Sequence, residues 1–257
     1  DLLVSGFNDD DGGEDRGAAW LLFPGPVPEE APEIPALAHV DESDLHRLYA
    51  GAVTAEDSAR IDSLYDLTAY APNNLVFLLD ISASMNHSDK LPVLRDAFSD
   101  LLYFMRPEDK ISVITYSGKP NLLIDALPAT EREQIAGLLN NLKSLGETRP
   151  GPALEMAYEQ ARLHFIPDGN NRIILATDGS FPLSDIDKPL EKMAGEDVPL
   201  SVFYFGKQPR WKLDEMVQIG RRGFGRSAHI TAETVQAELL SEVKQIRLKV
   251  APVSEED

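Results

Sequence analysis

The segment Leu75-Val76-Phe77-Leu78-Leu79 is apolar at every position and runs directly into Asp80-Ile81-Ser82-Ala83-Ser84. An apolar run without alternation has no face to leave in water, so it reads as a strand buried on both sides, inside a parallel sheet. In an open sheet of this kind, ligands bind just outside the carboxyl ends of the strands. The loop after Leu79 therefore delivers one carboxylate, Asp80, and two hydroxyls, Ser82 and Ser84, to a ligand-binding edge. Their alternation lets all three turn toward one point, and oxygen-only donors suit a hard divalent cation, Mg²⁺ first, with Mn²⁺ or Ca²⁺ as alternatives. Singly, each residue has an ordinary structural use, since Asp ends strands and Ser caps helices. The argument rests on two further loops, Gly146-Glu147-Thr148 and Thr177-Asp178-Gly179, the second closing another apolar strand, Arg172-Ile173-Ile174-Leu175-Ala176.

From Asn73 onward, strand and helix patterns alternate. The strands expected are Leu75–Asp80, Lys110–Tyr116, Asn121–Ile124, Arg172–Thr177, Leu200–Phe205 and a short one at Ser227–Ile230. The helices expected are Lys90–Met105, Glu131–Leu142, Pro152–His164, Ile186–Ala194, Lys212–Ile219 and Ala232–Val250. Ile135, Leu138, Leu139 and Leu142, at three- and four-residue spacing, give one such helix a sheet-facing side. The fold class predicted is α/β: a doubly wound, mostly parallel six-stranded sheet with helices on both faces. The short link Lys119-Pro120-Asn121 predicts a single antiparallel edge strand.

Asp80, Ser82, Ser84, Thr148 and Asp178, on three loops, resemble the metal-ion-dependent adhesion site of the von Willebrand factor type A domain. The likeness covers roughly residues 73–249 and is nearest to bacterial members, where a Met-Asn stretch such as Met85-Asn86 follows the first motif. It implies that these five residues hold a divalent cation, with a position left open for an Asp or Glu of a protein partner. Two positions depart from the family pattern. Ala83 stands where Gly is usual between the two Ser, a small change, and Glu147 stands where Gly often precedes the Thr. Glu147 is a carboxylate beside a ligand, in a position to tune the site, and Arg149 and His87 are candidates for its rim.

The front of the chain differs in composition. Residues 1–71 hold 16 of the 43 Asp and Glu but only Arg16, Arg47 and Arg60 of the 24 Lys and Arg. Residues 1–23 read as two strands around the turn Asp11-Gly12-Gly13, and they resemble part of an FG-GAP repeat, the blade of integrin-α-type propellers. An acidic turn between two ordinary strands explains the same residues. Residues 24–40 form a proline-rich acidic linker, with five prolines from Pro24 to Pro35. Residues 41–72 read as a helical brace, 73–250 as the main domain, and 251–257 as a tail. Asp1 in place of Met, with no apolar leader, reads as a processed chain or an excerpt.

Several classes are disfavoured. The net charge of −19 does not suit a phosphate backbone, so no nucleic-acid partner is expected. No stretch nears the ~20 apolar residues of a membrane span, so no membrane insertion is expected of this sequence. The absence of Cys removes disulfide and thiolate chemistry. Neither a phosphate-binding G-x-x-x-x-G-K-[ST] nor a first-strand G-x-G-x-x-G occurs. The dehalogenase-type phosphatases need a second Asp two positions after the first, where Ser82 stands. The expected function is therefore non-enzymatic, metal-dependent binding of an acidic protein ligand. The alternatives are an assembly module completed by Glu147 or a neighbouring copy, and a metal-assisted hydrolase with Glu147 as base. The resemblances imply an extracellular or cell-surface location, or the periplasm.

Overall fold

The computed structural model describes residues 66–142, 146, 148–179 and 181–246. The β hairpin, the linker, nearly all of the brace, Glu147 and the tail lie outside these residues. Of the brace, only its end is described, where Asp66–Pro72 form a turn and an extended stretch leading into the sheet.

The described strands are β1 (Asn73–Asp80), β2 (Lys110–Tyr116), β3 (Pro120–Pro128), β4 (Asn170–Thr177), β5 (Leu200–Phe205) and β6 (Phe224–Ile230). The helices are α1 (Leu91–Phe104), α2 (Arg132–Asn140), α3 (Gly151–Leu163), α4 (Ser184–Lys192), α5 (Arg210–Arg222) and α6 (Val235–Val243). A 3₁₀ turn, Ala83–Asn86, follows β1. The strands form one sheet in the order β3-β2-β1-β4-β5-β6, all parallel except β3. This is the predicted fold class, with the predicted antiparallel edge.

Each residue of β1 is buried because β1 sits centrally, between β2 and β4. Its pleat divides the side chains between two cores. Leu75, Phe77 and Leu79 join α1, α2 and α6, with Phe77 set edge-on against Phe98 at 4.4 Å between ring centroids. Val76 and Leu78 join α3, α4 and α5 on the opposite face. The chain leaves β1 toward β2 on one side and later leaves β4 toward β5 on the other. The β1/β4 boundary is thus the switch point where an α/β sheet opens a crevice at its carboxyl edge.

β6 begins three residues before the expected Ser227 and α5 outruns Lys212–Ile219 at both ends, and two further elements differ for reasons visible in the structure. β3 runs past Ile124 to Pro128 through a bulge at Ala126, where φ is +43°. The Ser112 hydroxyl accepts the Ala126 N–H at 3.0 Å, supplying the partner that the shifted ladder loses, so pairing resumes beyond the bulge. The last helix ends at Val243 rather than Val250. Beyond it the chain turns, and the Ile246 carbonyl accepts the Ala71 N–H at 2.8 Å, a bond that takes this carbonyl out of any continuing helix.

The amino edge of the sheet is sealed by polar groups. Arg172 of β4 meets Glu242 of α6 at 3.2 Å, and Glu242 also accepts Ser201 at 2.9 Å and Arg226 at 2.6 Å. Glu242 is fully buried. Removing Glu242 would leave buried Arg172 and Ser201 short of an acceptor with no solvent to replace it. Glu242→Ala should therefore lower the unfolding free energy by about 3–5 kcal/mol in urea denaturation, with Glu242→Gln milder because it keeps the volume and one of the two acceptor oxygens. A loss under about 1 kcal/mol for the alanine variant would put this cluster among surface ion pairs.

Candidate metal centre

Asp80 ends β1 and is completely buried. Its Oδ1 accepts the Ser82 N–H at 2.9 Å, and its Oδ2 accepts the Thr177 hydroxyl at 2.8 Å from the end of β4. The β1/β4 register makes that contact direct, since Leu79 lies opposite Ala176 and the next residues on each strand are Asp80 and Thr177. The 3₁₀ turn then brings the Ser84 Oγ to 3.2 Å from the Ser82 Oγ. Thr177 also accepts the Gly179 N–H at 2.9 Å, and Gly179 takes φ +74°, which turns the chain sharply after Asp178.

Asp178 is 2% exposed and is held by Lys90. The Lys90 ammonium donates to the Asp178 Oδ2 at 2.8 Å and to the Ser84 carbonyl at 2.9 Å, tying the first and third loops together. The Gln208 amide donates to the Asp178 carbonyl at 2.8 Å. Thr148 is half-buried. Its loop reaches the same edge through Gly146, whose φ is +97° and whose added Cβ would lie 2.7 Å from the Ser117 carbonyl, one residue past the end of β2. Arg149 and His87 are exposed, and the His87 carbonyl accepts the Lys90 N–H at 3.1 Å.

Lys90 was not singled out in the sequence reading. A signal for it did exist: a lysine immediately before a helix places a cation where the helix dipole disfavours one, so an anion nearby is to be expected. A second omission is the shallow groove beside Gly179, about 450 Å³ in volume, formed by Phe181, Pro182, Pro209, Trp211 and Lys212. Trp211 is 62% exposed there. The Lys212 ammonium is occupied below it, donating to the Phe181 carbonyl at 2.7 Å and to Glu215 at 2.8 Å.

The electrostatics favour a cation. Burial, with a smaller push from the Asp178 carboxylate, raises the Asp80 pKa, and the hydrogen bonds from Ser82 and Thr177 offset this only in part. Among the described residues no cationic side chain pairs with Asp80, whose hydrogen-bond donors are neutral. Beside it, at the end of β2, Tyr116 is fully buried and its hydroxyl has no hydrogen-bond partner among the described residues. Burial first, then the Asp80 charge and more weakly that of Asp178, pushes the Tyr116 phenol well above its ordinary pKa, with the Thr177 hydroxyl opposing the shift. A buried carboxylate with neutral partners, two adjacent hydroxyls and an orphaned phenol fit a hard divalent ion and its water, which would use hydroxyl oxygens that softer metals ignore. Among the described residues no cluster of three or more His, Cys, Asp or Glu offers a different metal site.

Comparison with known proteins agrees with this geometry. Residues 75–180 match the profile of the von Willebrand factor type A domain. The chain is 34% identical over 185 residues to the uncharacterized protein YfbK of Escherichia coli, covering 70% of this chain and 32% of that protein. It is 27% identical to sll0103 of Synechocystis, covering 71% of this chain and 44% of that protein, so it spans less than half the length of either relative. Among solved structures, a von Willebrand factor type A protein from Catenulispora acidiphila superposes with a TM-score of 0.59 at 18% identity, over 68% of this chain and 42% of that one. The mussel byssus proximal thread matrix protein 1, with a zinc-occupied MIDAS motif, superposes with a TM-score of 0.50 at 15% identity, over 68% of this chain and 48% of that one. The sheet order, the three strand-end loops and these matches together identify the described domain of this chain as a von Willebrand factor type A domain.

Proposed function

We propose that this chain binds a divalent cation, Mg²⁺ by default, through Asp80, Ser82, Ser84, Thr148 and Asp178, and uses it to hold an acidic side chain of a protein partner without catalysing a reaction. The observation that carries this reading is Asp80, a fully buried carboxylate whose hydrogen bonds come only from neutral groups. Burying a carboxylate without a cation is costly, and folds retain such groups where a bound ion or partner repays that cost. The zinc-occupied MIDAS motif of the byssus protein supports cation binding by a domain of this fold. Five protein oxygens do not complete the shell of Mg²⁺ if one carboxylate acts through water, and the remaining position suits an outside carboxylate. The groove beside Gly179 adds an apolar seat for the residue next to that carboxylate, with Trp211 as its anchor. The family resemblance supports an extracellular or cell-surface setting for this binding, or the periplasm. No helix among the described residues is long and apolar enough to cross a membrane.

Metal binding is tested by thermal unfolding and calorimetry. Mg²⁺ at a hundredfold excess over its Kd should stabilise the chain by about 2.7 kcal/mol relative to EDTA. Asp80→Asn should abolish that gain. In EDTA the same variant should be no less stable than the natural chain, because it removes a charge that burial penalises. A variant that still responds to Mg²⁺, or one that collapses in EDTA, would show Asp80 to be a structural residue instead.

Partner binding is tested by selecting displayed peptides on the chain in Mg²⁺ and in EDTA. The Mg²⁺ arm should enrich a single Asp or Glu beside a large apolar residue. Trp211→Ala should weaken the selected peptides about tenfold while leaving Mg²⁺ affinity unchanged. Identical peptide populations in the two arms would sink the metal-bridged reading.

A further inference from the structure

Lys90 sits inside the candidate metal centre, although nothing in the site's donor chemistry asks for it. Its ammonium lies 2.8 Å from the Asp178 Oδ2 and 2.9 Å from the Ser84 carbonyl, between two of the loops that supply ligands. Its stem is held in place, because Gly206, at φ +73°, leaves open the space that the side chain crosses. A Cβ on Gly206 would come within 3.1 Å of the Lys90 Cε. The side chain is only 13% exposed, so this is a fitted contact and not a surface lysine resting on a carboxylate. The position also runs against the helix dipole, since Lys90 directly precedes α1. A cation kept buried at a helix amino end must be offset by a specific anion, and Asp178 is that anion.

We infer that Lys90 is a tethered counter-cation that holds down the site's affinity for a divalent metal until an outside carboxylate completes it. The charges carry the argument. Asp80 and Asp178 alone would neutralise a divalent ion, but Lys90 spends one of those two charges. The ion, its ligands and Lys90 together then keep a net positive charge, which an anion from outside removes. Metal and acidic partner therefore assist each other, and the assistance is reciprocal because it is a coupling of two binding equilibria. Without Lys90, the site would hold its ion firmly with no partner present and would have less need of the partner's charge. This inference rests on the proposed metal-dependent function, and it adds the residue that makes binding conditional.

The test uses the full 257-residue chain and Mn²⁺ as probe, titrated calorimetrically with no peptide present. Lys90→Met keeps the length and apolar stem but removes the charge, and Lys90→Gln does the same with a polar end. Both should bind Mn²⁺ about tenfold or more tightly than the natural chain, since a unit charge a few ångströms from a divalent ion is worth at least that much. Lys90→Arg, which keeps the charge, should stay within about twofold. In EDTA the neutral variants should melt at lower temperature than the natural chain, because the ion pair between Lys90 and Asp178 is lost, and Mn²⁺ should raise their Tm by more. Added acetate at constant ionic strength should tighten Mn²⁺ binding by the natural chain more than by Lys90→Met. Equal or weaker Mn²⁺ binding by both neutral variants, with the natural chain still binding, would overturn the inference and leave Lys90 as a group that only orients Asp178. Failure of the natural chain and the neutral variants alike to bind Mn²⁺ would overturn the metal-site reading itself, and this inference with it.

Discussion

The structure turns on a carboxylate forced out of water at the end of its most buried strand. β1 lies between β2 and β4 and has no exposed residue, so Asp80 inherits the burial of the five apolar residues before it. The same pairing that excludes solvent from Leu79 brings the Thr177 hydroxyl onto the Asp80 Oδ2. What surrounds Asp80 is therefore a consequence of the sheet: neutral donors from its own loop and from β4, an unpartnered phenol from β2, and a second carboxylate one residue past β4. The core makes the site rigid, and the rigidity in turn prevents Asp80 from turning toward water. Free energy lost in burying this charge is offset only in part by the hydrogen bonds from Ser82 and Thr177.

Much of the fold was legible because central parallel strands have a plain signature. Leu75–Leu79 and Ile173–Ala176 are apolar without alternation, and both lie in β-structure buried on two faces. Lys110–Tyr116 and Leu200–Phe205 match their strands at both ends. Where the reading fell short, the cause was a contact between residues distant in sequence. β3 passes Ile124 because a hydroxyl from Ser112 repairs the bulge, and α6 stops at Val243 because Ala71 captures the chain at Ile246. Neither the bulge partner nor the capture has a local sequence signal.

The candidate site divides in the same way. Asp80, Ser82 and Ser84 lie on one loop whose spacing can be read directly, and hydrogen bonds gather them as expected. Asp178 was legible because it follows a second buried apolar strand, whereas Thr148 was legible only through the likeness of Gly146-Glu147-Thr148 to the family motif, and the fold sets its loop by fitting Gly146 against Ser117. Lys90 and Trp211 escaped notice for a physical reason. Each acts at a distance from its backbone, Lys90 through a long stem lying over Gly206 and Trp211 through a ring beside Gly179. A sequence shows where a residue is attached, but the reach of a long side chain depends on what the fold leaves empty for it.

The capture of the chain at Ile246 also has a mechanical consequence. Arg106 donates to the carbonyls of Leu67, Tyr70 and Ala71 while it is braced against buried Asp109, and the Ala71 N–H is bonded to Ile246. The incoming and outgoing segments of the domain are thus fastened to each other at the amino edge of the sheet, across from the carboxylates. A pull applied through the flanking sequence would be met first by this clasp, and tension would pass from one flank to the other without crossing the strands that carry Asp80 and Asp178. A domain fastened in this manner can sit in series within a stretched chain and keep its binding edge geometrically intact until the clasp parts.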